Sequence, residues 1–220
     1  DDQVPNIFNQ LKGTPWEEKV KLIDHQTIFS GYEHFLPTFN IMSILTVLWR
    51  IPGLSERFLF LNDDFAIIQP VQPEDFFYEN GVIVRGEWRS MKDKRWANKI
   101  RDLWFRYVPK TKKQKLRDRA KHTNAQIASA RMAGFSDQYF WLRHEPHPWR
   151  VSTIKNFFDN NPEIFERNIR PKLRDPDQFI CEALVAYLEL QSGTAIIDES
   201  LVALKIDPPD QTEGELIDMI

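Results

Sequence analysis

Phe58-Leu-Phe-Leu-Asn-Asp-Asp-Phe-Ala-Ile-Ile68, FLFLNDDFAII, interrupts an apolar run with three polar residues. Its first half is continuously apolar, the pattern of a short strand buried on both faces, as parallel strands are. Its middle places Asn62, Asp63 and Asp64 where that strand should end. In α/β domains, ligands gather beyond the carboxyl ends of the strands. Two adjacent carboxylates there can hold Mg²⁺ or Mn²⁺, hard cations that take oxygen ligands and bridge to phosphates. The competing reading is an Asx turn that caps the strand.

Outward from this stretch, Asn40 to Arg50 is apolar at helical spacing, through Ile41, Ile44, Leu45 and Leu48, and IPGLS (51–55) ends it. LPTFN (36–40) is a loop, and PWEEKVKLIDHQTIF is a turn or short helix followed by a strand-like KLIDHQ. VQPEDFFYENG (71–81) is a turn-rich loop, and GVIVRGEW (81–88) alternates like a strand. Residues 149–169 predict two helices broken near Pro162, and residues 175–193 a helix with an Asp/Pro start and a Gly stop. Strands alternating with helices imply an α/β layer architecture.

The 220 residues suit one domain of ordinary size. Hydrophobic and aromatic contents of 42% and 13% supply a core and exclude a disordered chain. Cys181 alone cannot build an internal disulfide framework, which favours the cytosol. No apolar run nears the roughly 18 residues of a membrane span. The opening DDQVPN does not read as a signal peptide, and with no initiator Met an upstream segment is expected. The absence of GxGxxG, P-loop, GxSxG and HExxH patterns argues against dinucleotide, P-loop and common hydrolase chemistry.

Charge is unevenly spread. Residues 85–131 hold 16 Lys/Arg against 4 Asp/Glu, a local +12, and the rest of the chain carries −15. The block 91–131 reads as helical, broken at Pro109, and is either an anion-facing surface or a solvated helix face. Two further segments carry chemistry. RHEPHPWR (143–150) holds His144 and His147 in a stretch stiffened by two prolines, so it is non-helical. A histidine here could serve as general base, could bind metal, or could be a hydrogen-bonded loop residue. No second His or Cys cluster supports zinc. RPKLRDPDQ (170–178) sets Arg170, Lys172 and Arg174 just before the last helix, which is a phosphate site or a charged loop.

Taken together, LPTFN (36–40), RIPGLSERFLFLNDDFAIIQPVQPEDFF (50–77), HEPHPWR (144–150), NPEIFERN and LRDPDQF (173–179) resemble conserved blocks of the Stealth family. These are bacterial capsular polysaccharide phosphotransferases, related to the GlcNAc-1-phosphotransferase of lysosomal targeting. The resemblance spans most of residues 1–190. It implies a Rossmann-like nucleotide-sugar transferase core with a helical, basic insertion at about 89–131 in a single catalytic domain, 1–206, followed by an acidic tail, 207–220. It implies that sugar-1-phosphate passes from a UDP-sugar such as UDP-GlcNAc to a hydroxyl of a growing capsule polymer, with release of UMP. Asp64 with Asp63 would hold Mg²⁺ (or Mn²⁺) or help activate the acceptor. His144 would be the base, with His147 a second candidate, and Arg174 would clamp phosphate. Asn40 and Asn62 would contact the donor, and Arg50, Arg170 and Lys172 would also face substrate. Phosphoryl transfer depends on charge neutralisation and positioning, which suits these residue types.

The chain departs from the family pattern at Leu45, where relatives have Glu, at Trp49, where they have His, and at Gln178, the second member of an acidic pair. The family's first block is absent, so a missing N-terminal segment is an expected partner. The basic block would meet polymer or the anionic inner face of a membrane, which places the protein in the cytoplasm and peripheral to that membrane. Nucleic acid ranks last, since no nucleic-acid motif accompanies the charge. Two other functions compete: a metal-dependent glycosyltransferase releasing UDP, and a non-catalytic polyanion-binding module.

Overall fold

The computed structural model describes residues 6–91 and 122–200. Residues 92–121 of the basic block and all of the acidic tail lie outside those residues; of the expected insertion only the two ends are described, and residues 122–131 are helical as expected.

The best buried element is α7 (Cys181–Ser192), where Leu184, Val185 and Tyr187 are enclosed. A helix that is apolar nearly all round belongs in an interior. Gly193 stops it in the left-handed conformation at φ 73°, and the Thr194 N–H closes onto the Glu189 carbonyl at 3.0 Å. The expected start at Asp175 is wrong by one and a half turns. Asp175–Gln178 instead forms a turn, with the Asp177 N–H on Asp175 Oδ1, and the Phe179 N–H is taken by the Asn168 side chain. Those bonds satisfy donors that a longer helix would have used.

Around α7 pack α3 (Ile41–Val47), α4 (His122–Met132) and α5 (Val151–Asn160), and α6 (Pro162–Ile169) packs on α3 and α5. The break between α5 and α6 falls at Asn161-Pro162, as expected from a proline at the first helical position. Two short helices lie earlier, α1 (Ile7–Leu11) and α2 (His25–Ile28). The strand expected at KLIDHQ is not there. Asp24 accepts the Gln26 N–H at 2.6 Å and opens α2, a capping bond that outcompetes the apolar alternation.

Seven strands form three small sheets among the described residues. β1 (Arg57–Phe60) pairs antiparallel with β6 (His147–Arg150), Phe58 opposite Trp149 and Phe60 opposite His147. β3 (Gly81–Val84) lies between β2 (Phe77–Tyr78), antiparallel, and β7 (Ala195–Ile197), parallel. β4 (Gly86–Ser90) pairs antiparallel with β5 (Gln138–Leu142). This is a mixed α/β arrangement. The expectation of a parallel partner for FLFL fails. Trp149, wholly buried, covers the face that Phe58 and Phe60 share from an antiparallel neighbour, with its ring 5.6 Å from Phe58 and 5.5 Å from Phe60, while Leu59 on the other face is half-buried.

GVIVRGEW is two strands rather than one. Arg85 turns inward to the Asp75 carbonyl, and Gly86 lets the chain pass tightly over β5. A Cβ at Gly86 would stand 2.3 Å from the Trp141 carbonyl oxygen. Gly86→Ala is therefore expected to destabilise the protein by about 1–3 kcal/mol, measured by denaturant unfolding. An unchanged midpoint would show that the β4–β5 pair can separate at no cost.

Candidate active site

Asn62, Asp63 and Asp64 follow β1 in a turn closed by the Phe65 N–H on the Asn62 carbonyl, 3.3 Å. The side chains of Asn62 and Asp64 are not spent on that turn. They reach His144, some eighty residues later, in the corner between β5 and β6. Asp64 Oδ2 stands 2.9 Å from His144 Nε2, and Asn62 Nδ2 stands 3.5 Å from His144 Nδ1. The Phe65 ring lies beside the imidazole, centroids 4.7 Å apart. The meeting follows from register. His147 opposes Phe60, so the corner just before β6 sits beside the residues just after β1.

The pair is open to solvent, with side-chain exposures of 54% for His144 and 62% for Asp64. The His144 hydrogen bond holds the Asp64 carboxyl below its ordinary range. An ionised carboxylate only accepts hydrogen bonds, so Nε2 carries the proton. Nδ1 then keeps the lone pair, facing the Asn62 amide at a distance long enough for a hydroxyl to replace it.

Gln126 on α4 anchors the corner from behind. Its amide donates to the Leu142 carbonyl at 3.0 Å and accepts the Leu142 N–H at 3.1 Å. Sequence reasoning missed it. The only signal is one amide among small residues in AQIASA, and such a residue declares its partner only in three dimensions. Also missed was Glu182, buried on the first turn of α7 and 3.4 Å from His122. Burial pushes its carboxyl up, but the His122 bond and nearby His147 and His144 outweigh this and hold it low.

His147 points inward and is 5% exposed, which does not suit a base that must meet substrate. Burial lowers its pKa against the pull of Glu182, and neighbouring His144 and His122 lower it further. The unfolded chain therefore binds this proton more readily than the folded protein. Stability should be unaffected by His147 above the unfolded value near 6.5 and should fall as pH drops below it. Thermal melts from pH 8 to pH 5 on wild type and His147→Gln test this: the wild type is expected to lose more stability than the variant. Equal slopes would mean that His147 does not control the loss.

The other expected site residues lie elsewhere. Asn40, fully buried, caps α3 by accepting the Met42 N–H at 3.2 Å, and its amide donates to the Pro171 carbonyl and to Gln178 Oε1. Such burial leaves no room for the expected donor contact. Asn40→Ala removes a cap and strands Gln178, so a loss of about 1–3 kcal/mol in unfolding free energy is expected. Gln178 also donates to the Asn168 carbonyl at 2.7 Å, which an ionised carboxylate could not do, and this accounts for the uncharged residue in the Asp177-Gln178 pair. Arg50 donates to the carbonyls of Ile28 and Ser30 and lies over Tyr32, so it fastens the chain before α3. Arg170 pairs with Glu166 at 3.0 Å, and the Lys172 carbonyl holds the Phe39 N–H. Arg174 is exposed and makes no ion pair among the described residues. No hydrogen bond among the described residues joins these cations to Asp64 or His144. Asp63 is exposed, and no group of three or more metal-ligating side chains forms among the described residues.

Residues 1–85 match the profile described as Stealth protein CR2, conserved region 2. The chain carries a conserved region of the Stealth family. Among similar proteins, it is 29% identical over 169 residues to the receptor polysaccharide phosphotransferase WefC of Streptococcus gordonii, which covers 72% of this chain and 50% of that protein. It is 42% identical over 82 residues to a capsular polysaccharide phosphotransferase of Actinobacillus pleuropneumoniae, 37% of this chain and 21% of that one. It is 30% identical over 174 residues to an exopolysaccharide phosphotransferase of Streptomyces coelicolor, 79% of this chain and 16% of that one. The chain thus spans half or less of the length of these proteins. No helix among the described residues is long and apolar enough to cross a membrane.

Proposed function

We propose that this chain forms the acceptor-activating part of a hexose-1-phosphate transferase that builds phosphodiester-linked surface polysaccharide. The observation that carries the reading is the exposed Asp64–His144 pair, bound at 2.9 Å at the end of a rigid strand. The matched relatives are named polysaccharide phosphotransferases, which supports the same chemistry.

In this reading the acceptor hydroxyl displaces the Asn62 amide at His144 Nδ1 and gives that nitrogen its proton as its oxygen forms a bond to the sugar-bearing phosphorus of a UDP-sugar. The bond from that phosphorus to the bridging oxygen breaks, and UMP leaves with the electron pair. Asp64 holds the ring in the tautomer that accepts the proton and balances the charge of the imidazolium. In this reading the full-length protein completes a Rossmann-like nucleotide-sugar core around the site. Arg174, with Arg170 and Lys172, neutralises phosphate charge.

Asp63 and Asp64 fit Mg²⁺ (or Mn²⁺) held by one or two carboxylates and completed by substrate phosphates and water, rather than by a full protein cage. When bound, the ion would offset the diphosphate's negative charge. In this reading the protein works in the cytoplasm, with residues 89–131 meeting polymer or an anionic membrane face.

The test uses the full-length protein with UDP-GlcNAc, Mg²⁺ and a surface-polysaccharide primer, followed by phosphorus NMR. UMP and a new phosphodiester signal are the expected products. UDP instead of UMP would make the protein a glycosyltransferase, and no turnover across a panel of UDP-sugars would leave only polyanion binding.

A further inference from the structure

A second feature lies at the opposite end of the β1–β6 ladder from His144. One face of α5 along its whole length and the C-terminal end of α7 line an open cleft of about 500 Å³, within the size range of small-molecule sites. Its chemistry differs from that of the first site. Amides, hydroxyls and the half-buried ring of Phe157 line it. The one ionic group of its lining, Arg150, is already matched: Nε and Nη2 donate to the Glu189 carboxylate at 2.9 and 2.6 Å.

The amides divide into two kinds. Asn160 and Asn161 give one N–H each to the carbonyls of Asn156 and Phe157, both at 2.8 Å, which leaves one N–H and the side-chain oxygen of each. Asn156 and Gln191 make no side-chain hydrogen bond among the described residues, so each offers a donor and an acceptor together. A ligand matched to this wall carries many hydroxyls, each both donor and acceptor, an apolar face for Phe157, and no charge. A phosphorylated donor is a poor match, because the cleft has no unpaired cation among the described residues. A neutral sugar ring matches on every count.

We propose that this cleft is a glycan subsite, which takes neutral sugar residues of the acceptor at a distance from the reacting hydroxyl. The assignment of a saccharide acceptor rests on the proposed function, but the binding itself does not require turnover. Arg150 ends the strand that begins at His147, so at about 3.4 Å per residue roughly 10 Å of strand separates the cleft from the corner of the active site. Binding energy gained on remote parts of a substrate helps to position its reacting end.

The experiment uses the full-length protein and short neutral oligosaccharides prepared from the host's own surface polysaccharide, without nucleotide. Side-chain amide NMR signals of Asn156 and Gln191 are followed in wild type and in Asp64→Asn, and the affinity is measured by calorimetry in both and in an Asn156→Ala/Gln191→Ala variant. Both replaced residues are exposed helix positions where Ala is well tolerated, and an unchanged melting temperature verifies the fold. The expected result is saturable shifts of both amides in wild type and Asp64→Asn alike, and an affinity about tenfold weaker in the double variant, the loss of two hydrogen bonds. In turnover the same variant should raise the acceptor KM and spare kcat. Oligosaccharides that leave both amides unmoved, or that bind the double variant as tightly as wild type, overturn the subsite. Release of UDP rather than UMP would overturn the phosphotransferase reading and leave this result standing.

Discussion

Asp64→Asn in the full-length protein is expected to lower phosphodiester formation by about 10²–10⁴-fold, the usual range for a positioned acid–base group. The amide matches the carboxylate in shape but carries no charge. It can present either its oxygen or its NH₂ to His144, so the ring is no longer held in one tautomer. The imidazolium formed when the acceptor loses its proton has no counter-charge. His144→Ala should lose a similar amount, and the double variant little more, because the two groups act as a unit. Both residues are exposed, so folding should survive, and circular dichroism verifies this. The carboxyl signal of Asp64 supplies an independent readout. In His144→Ala its titration should move up toward the ordinary aspartate range, since His144 is the first cause of its low value. Wild-type turnover in Asp64→Asn would remove the pair from the mechanism.

The largest expected effect on stability comes from Glu189. It is fully buried on α7 and receives Arg150 through two nitrogens as well as the hydroxyls of Thr153 and Thr194. Three elements meet on this one carboxylate: β6, α5 and the turn into β7. Glu189→Ala leaves the Arg150 guanidinium largely enclosed without its partner, and removal of one member of a buried pair costs about 3–5 kcal/mol. Arg150 keeps some access to water, its side chain being 18% exposed, so the lower end of that range applies. For a domain of this size, a loss of about 3 kcal/mol lowers the melting temperature by roughly 6–12 °C. Arg150→Met/Glu189→Leu, an apolar replacement of both partners, should recover much of the loss. If Glu189→Ala melts like wild type, the cluster is not what fastens α7 to β6.

What could be read in the sequence was what neighbours along the chain decide. The carboxylates after FLFL, the stiff non-helical HEPHPWR, the break at Pro162 and the stop at Gly193 each follow from adjacent residues. What could not be read depends on residues brought together from afar. FLFL has the same apolar run whether its partner is parallel or antiparallel, and only Trp149 across the ladder decides between them. Gln126, Glu182 and Glu189 are ordinary polar residues in helical sequence, and their partners lie far along the chain. Asn40 shows the converse. A polar residue at the edge of an apolar helix is what a ligand contact needs and also what a cap needs, and burial assigns it to the cap.

The antiparallel register of β1 and β6 also bears on how the family can vary. Because Phe60 is fixed opposite His147, the geometry of Asp64 and His144 is set by the ladder, not by the length of chain running between them. Closing a longer loop costs only about 0.6 kcal/mol for each doubling of its length. Loops between the two strands can therefore change length with little effect on the reacting pair, as long as β5 and the Gln126 that anchors the corner stay in place. Evolution is free to remodel what the enzyme touches there while the chemistry at the strand ends stays in place.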